Sequence, residues 1–315
     1  MTDRPPVPDL SPAPPPGHLT AADPAPDGAR DGRLRGFGSV AAVFGENKLA
    51  IIGLAVVLVV FAFCFLGPVF YHTDQVHTNL GQVTRPPGSG HPLGTDSVGY
   101  DELGRLMAGG QTSLTVGLSA AIIATFIGGL WGAVSGYIGG IVDSVMMRCV
   151  DVLLSIPTLF LLLFMASIFR PSRLMLTIII ASVSWLVTSR LIRGETLSLR
   201  LREYVQVARV MGASGGYNML RHVLPNAIGT IAVNVTFQVA DAILLLAAMS
   251  YLGLGVPAPG TDWGGMLSDG VNYSFSGYWW LIYPPGLAIV ATVVAFNFIG
   301  DALRDSLESR LRQTR

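Results

Sequence analysis

Residues 49–70 read LAIIGLAVVLVVFAFCFLGPVF, a run of 22 residues without a charge. As one helix such a run crosses a hydrocarbon core of about 30 Å. Further apolar segments follow at 113–136, 152–169, 174–187, 227–252 and 279–298. The fourth is short, with room to extend into Thr188 and Leu191. The expected fold is therefore an all-α polytopic membrane protein with six transmembrane helices. Only 13% of the residues are charged and 51% are hydrophobic, where a soluble domain is about one-quarter charged. Residues 1–30 hold nine of the twenty prolines, too little apolar surface to offset ordering entropy, so 1–46 is expected to be a disordered cytoplasmic tail. The first apolar run starts too late and is too long for a secretory signal, which makes 47–72 an uncleaved N-terminal transmembrane helix.

An even number of spans puts both termini on one side. If that side is the cytoplasm, sixteen of the twenty Lys and Arg lie inside and four (Arg85, Arg105, Arg170 and Arg173) outside, as the positive-inside rule requires. The remaining divisions are an external loop at 73–112, a membrane core at 113–303 with a long cytoplasmic loop at 190–226, and a cytoplasmic tail at 304–315. Trp263, Trp279 and Trp280 precede the last span on the outer side, where aromatic residues sit at the interface.

Two patterns mark the spans themselves. Gly128, Gly132, Gly136 and Gly140 recur every fourth residue, so on a continuous helix they form one small-residue face. Such a face admits close backbone approach, either as a seam within the transport core or as packing inside the subunit. In the fifth span Asn234, Gln238 and Asp241 form a polar stripe. A charge in mid-bilayer costs about 2.5–3.5 kcal/mol on insertion scales, so Asp241, with Gln238 and Asn234 behind it, either lines a solute path or makes an interhelical hydrogen bond.

Other chemistries find no residues. Zero net charge gives no basic field for nucleic acid. Cys64 and Cys149 are too few for a disulfide framework, and five scattered histidines without an HExxH motif argue against a metal site. GASGG at 212–216 matches a nucleophile elbow in letters, but a helical segment precedes it where a strand is needed. The one lysine, Lys48, follows GEN, so there is no phosphate-binding P-loop. Any ATP-driven step needs another polypeptide.

The loop EYVQVARVMGASGGYNMLRHVLPN (203–226) is the most informative polar segment. Tyr204, Val207, Ala208 and Met211 share one face of a short helix. Gly212 suits a left-handed stop, and Ser214 suits the N-cap of a second short helix. Pro225 is expected to end that helix. Neither helix is long enough to stand alone in water.

The loop resembles the cytoplasmic signature loop of ABC-importer permeases. Gln206-Val207-Ala208 stands at the Glu-Ala-Ala position, Gly212 at the glycine, and Leu224-Pro225 at the end of the motif. Gln206 and His222 depart from it, and Glu203 lies one turn before the missing acid. HPLGTD (91–96), SYLGLG (250–255), WGGML (263–267) and PGLAIVATVVAFNFIGDALRDSL (285–307) widen the resemblance to the second (C-type) permease subunit of dipeptide and oligopeptide importers. Tyr100, Gln111 and Leu246 differ from residues common there. The resemblance implies a type I (MetI-like) permease core with one extra N-terminal helix, in a bacterial inner membrane. It implies import of di- or oligopeptides, or of nickel, haem or another small solute. It further implies a homologous second permease, two ATPase subunits that bind ATP and Mg, and an external binding protein, with no cofactor in this chain. The ATPase contact would comprise Glu203, Tyr204, Gln206, Val207, Ala208, Arg209, Met211, Gly212, Ala213, Ser214, Leu224 and Pro225.

Overall fold

The computed structural model describes residues 47–313, with side chains through Leu307; the expected tail at 1–46 lies outside them. Ten helices run through the described residues. They are α1 (Lys48–Phe70), α2 (Glu102–Ile138), α3 (Gly140–Leu154), α4 (Thr158–Ile168) and α5 (Arg173–Leu199). After them come α6 (Glu203–Val210), α7 (Gly215–Asn218), α8 (Leu224–Tyr251), α9 (Trp263–Val271) and α10 (Tyr283–Gln313). Five stretches are long and apolar enough to cross a membrane, and the α3–α4 pair makes a sixth if it counts as one span. The polytopic all-α expectation holds, and several of its boundaries move.

The second span starts at Glu102 rather than near 113. Its first turns carry Gly109, Gly110 and Gln111, which dilute the hydropathy. Tertiary contacts bury this part: Gly110 lies under Cys64 and Trp263, and Gln111 Nε2 donates to the Cys64 carbonyl at 2.8 Å. The third span is not the straight helix expected at 152–169. It is broken, with α3 and α4 meeting at 81°. Pro157 forces this, because proline restricts the preceding residue to extended backbone. The fourth span runs on to Leu199, well into the expected loop, and α10 continues through the expected C-terminal tail to Gln313.

Three of the four stripe glycines form a seam inside this chain. A Cβ on Gly128, Gly132 or Gly136 would stand 2.6, 2.3 or 2.9 Å from the carbonyls of Trp185, Ser189 and Arg193 on α5. Backbones that close admit only glycine. Gly140 is not part of the stripe. The helix ends at Ile138, Gly139 and Gly140 take φ of 71° and 60°, and a Cβ on Gly140 would meet nothing.

The core forms three clusters among the described residues: Leu199, Val223 and Ala227 make a small one, and two larger ones share α2 and α8. One packs Val116 and Ala120 against Leu176, Ile179, Leu246 and Met249; the other packs Leu114 and Ile243 against Cys64, Trp263 and Phe296. Two of the expected interfacial tryptophans belong to the interior. Trp263 is buried and its Nε1 donates to the Leu106 carbonyl at 3.0 Å. Trp280 is buried and donates to the Thr95 carbonyl at 3.3 Å. Only Trp279 of the three is exposed.

The loop 71–101, expected to be external, folds into a compact cap. His91 bridges the Asp101 carboxylate at 2.8 Å and Gln82 Oε1 at 2.7 Å. The Tyr71 hydroxyl donates to the same carboxylate at 2.9 Å, and burial with that negative neighbour pushes its pKa up to about 12. Tyr100, one of the departures from the family pattern, lies under the Arg105 guanidinium at 4.4 Å. Arg105 in turn donates to the Pro259 carbonyl at 2.8 Å, so the cap is tied to the loop before α9.

Candidate functional site

The loop 203–226 forms a helical elbow. α6 starts at Glu203, which is exposed, as is Arg209 near its end. Gln206 Nε2 donates to the Leu201 carbonyl at 3.1 Å, so the amide at the acid position caps the preceding turn. Gly212 takes φ of +90°, the left-handed stop expected of it. The Ala213 amide closes back onto the Ala208 carbonyl at 3.0 Å. Ser214 Oγ accepts from the Tyr217 amide at 3.3 Å as the N-cap of α7.

The apolar face of the elbow points away from its own chain. Tyr204 and Val207 are exposed, Val210 and Met211 are 87% and 82% exposed, and Ala208 is half-buried. The residue that docks α6 onto the body is Val205, 3% exposed. It lies off the stripe that periodicity singled out, so no sequence signal marked it.

Pro225 does not end the second helix. α7 passes through a π turn (Met219–Val223) directly into α8, and residues 215–251 form one continuous helical stretch. A proline lacks the N–H of the i→i−4 ladder and crowds the carbonyl one turn before it. The π turn relaxes that crowding by shifting the register: the Leu224 amide bonds to the Met219 carbonyl, five residues back. Leu224 is half-buried and Pro225 exposed at the start of α8. His222 sits between two rings, 6.2 Å from Tyr204 and 6.0 Å from Tyr217, and so holds the two arms of the elbow together. Asn218, one turn before it and fully buried, has no hydrogen-bond partner for either amide atom among the described residues.

Beneath the elbow the arginine-rich helix ends are clamped together. Arg193 on α5 grips Asp143 on α3 with two bonds of 2.5 and 2.6 Å, and Ser135 on α2 donates to the same carboxylate. Arg190 pairs with Asp151. Arg200 Nη1 donates to the Gly136 carbonyl at 2.9 Å. These contacts join the broken α3–α4 span to the glycine seam, and sequence reading had counted the arginines only as charges.

The fifth-span residues divide into two kinds. Asn234 Nδ2 donates to Thr188 Oγ1 at 3.0 Å, and buried Gln238 donates to the Ser184 carbonyl at 3.4 Å. Both amides are spent on α5. Asp241, further along the helix, is exposed and makes no hydrogen bond or ion pair among the described residues.

Residues 110–313 match the model of binding-protein-dependent transport system inner membrane components. The chain belongs to that family. Residues 38–87 match the N-terminal transmembrane domain of oligopeptide transport permease C. The oligopeptide transport system permease protein OppC of Bacillus subtilis is 37% identical over 86% of this chain and 88% of its own length. Its Escherichia coli K12 namesake is 40% identical over 85% and 89%. The dipeptide transport system permease protein DppC of Bacillus subtilis is 36% identical over 85% and 84%. The expected resemblance to a C-type permease thus stands. The match at 110–313 contains the glycine seam, the broken span, the elbow and the fifth-span polar residues.

Proposed function

We propose that this chain is one of two permease subunits of an ATP-driven importer for di- or oligopeptides in a bacterial inner membrane, with both termini cytoplasmic. Partner ATPases bind ATP and Mg, and an external binding protein delivers the peptide. The observation that carries the reading is the elbow: an apolar face directed outward, on an arm continuous with a membrane-spanning helix. A short amphipathic helix docked in a partner's groove is a common recognition mode.

The mechanism follows from that continuity. Closure of the ATPase pair displaces α6 through Tyr204, Val207, Ala208 and Met211, with Glu203, Ala213 and Ser214 at the rim. Val205 and the His222 ring contacts carry the displacement to α7, and the π turn carries it to α8. Because α8 is helical from Leu224, the push reaches Asp241 without crossing a flexible joint. A packed element with two arrangements, biased by a remote ligand, is what coupling requires. Asp241 lines the solute path, since a mid-span carboxylate without a partner among the described residues of its own chain needs water or a cation beside it. Asn234 and Gln238 fix α8 to α5 and support the path from behind.

Replacing Gly212 by leucine tests this. A Cβ there meets no atom, so the change strains the +90° backbone without a clash. ATP hydrolysis by the assembled complex should persist while peptide uptake falls at least tenfold. Uptake at the wild-type rate, or full transport by this chain without ATPases, would overturn the reading.

A further inference from the structure

A groove of about 710 Å³ opens between the end of the second span and the elbow. Its walls include Tyr137, Ile138, Arg200, Leu201, Val205 and Arg209. Two lining side chains are cationic and none is anionic. Tyr137 and Ile138 are the last residues of α2, and Arg200 follows the last residue of α5. The groove therefore lies beside the ends of two helices long and apolar enough to cross a membrane.

One cation is fixed in place. Arg200 Nη1 is bound to the Gly136 carbonyl, and its guanidinium lies over Gly139, where a Cβ would come within 2.7 Å of it. Gly139 also has a φ of +71°. Two independent features thus exclude a side chain there and keep the guanidinium at the groove wall. Arg209 stands on the facing arm, exposed and without a partner among the described residues. The rim is apolar where Ile138 and Leu201 stand exposed. A soluble anion would satisfy the arginines and leave that rim in water. A phospholipid satisfies both, with its phosphate between the guanidinium groups and its acyl chains along Ile138 and Leu201.

We infer that this groove binds the headgroup of an anionic phospholipid and wedges it between the membrane and the back of the coupling elbow. The bidentate geometry of arginine suits a phosphate oxygen pair, and basic side chains at an anionic leaflet add about 1 kcal/mol each. The lipid occupies the side of α6 that docks on the body, opposite the Tyr204–Met211 face. Its presence stiffens the elbow against the partner's push. The inference does not depend on which solute is carried.

The test uses the assembled transporter in nanodiscs containing a photoactivatable phosphatidylglycerol carrying the reactive group on its headgroup. Crosslinks are mapped by mass spectrometry. The expected result is labelling within 137–141 and 200–213 that exceeds labelling by the matching phosphatidylcholine probe. That labelling should fall about fivefold in Arg200→Gln, and again in Arg209→Gln, the effect of removing one basic group at an anionic surface. Arg200→Lys should recover part of it. Because Arg200→Gln could impair assembly, each variant is scored per assembled complex, and Arg209→Gln serves alone if Arg200→Gln does not assemble. Equal labelling by the two lipids, undiminished labelling in the variants, or full displacement by inorganic phosphate would each overturn the inference, the last by making the groove a site for free anions.

Discussion

The two ends of this molecule satisfy themselves in opposite ways. In the cap at 71–101 most polar groups pair with one another, Gln75 Oε1 excepted among the described residues: His91, Tyr71 and Asp101 form one knot, and Arg105 is bound by Tyr100 and Pro259. Trp263 and Trp280 are driven inward beneath it. At the elbow the balance shifts, with Val207, Val210 and Met211 exposed and the Asn218 amide buried without a partner among the described residues. The cap is largely finished within one chain, while the elbow leaves apolar groups outside, which the proposed contact with a partner ATPase would cover. A folding surface hides its largest apolar groups, and a docking surface keeps them outside on a scaffold fixed from behind.

That contrast can be broken by substitution at either end. The largest effect is expected at Trp263, whose replacement by alanine removes a fully buried ring and the bond to Leu106. The cost should be about 3–5 kcal/mol, read as a lower thermal midpoint and a poor yield of assembled protein. Asp143→Ala comes next, because it leaves Arg193 unpaired at the foot of the elbow. Breaking a fully buried pair costs about 3–5 kcal/mol, but Arg193 is partly exposed, so about 2 kcal/mol is expected, with α3 more accessible to exchange. Val207→Ser and Met211→Ser should barely alter stability, within about 0.5 kcal/mol. Each should nonetheless weaken ATPase association by more than 1 kcal/mol, as for a buried interface residue. If either destabilises this chain strongly, the face belongs to its own core and the contrast fails.

The smallest effect concerns pH at the surface of the cap. The Val76 and His77 amides donate to the Asp74 carboxylate, which lowers its pKa to about 2. An acid with a depressed folded-state pKa contributes order that is present above its ordinary value near 4 and lost as pH falls through about 2. Hydrogen exchange at Val76 and His77, corrected for intrinsic rates, should rise across that window, and Asp74→Asn should flatten the response.

Much of this architecture is legible in the letters. The uncharged run at 49–70 needs only length and composition to become α1. Gly212 and Ser214 announce the elbow's corner because backbone handedness and capping are local. Other positions are not local. The polar start of α2 at Glu102 escapes hydropathy because Cys64 and Trp263, distant in sequence, bury it. Pro225 reads as a stop until a π turn makes room for it. Gly140 keeps the four-residue spacing of the seam and drops out of it because the chain reverses its backbone at Gly139.

What the sequence determined alone is therefore the membrane class, the spans and the elbow's two arms, all set by hydropathy and short-range backbone preference. Only the tertiary structure decided that the glycine seam closes on α5, that Asn234 and Gln238 are consumed while Asp241 is not, and that Val205 faces in while Met211 faces out. The physical reason is that burial and pairing belong to neighbours brought together by folding, whereas helix formation and lipid solubility belong to the segment itself.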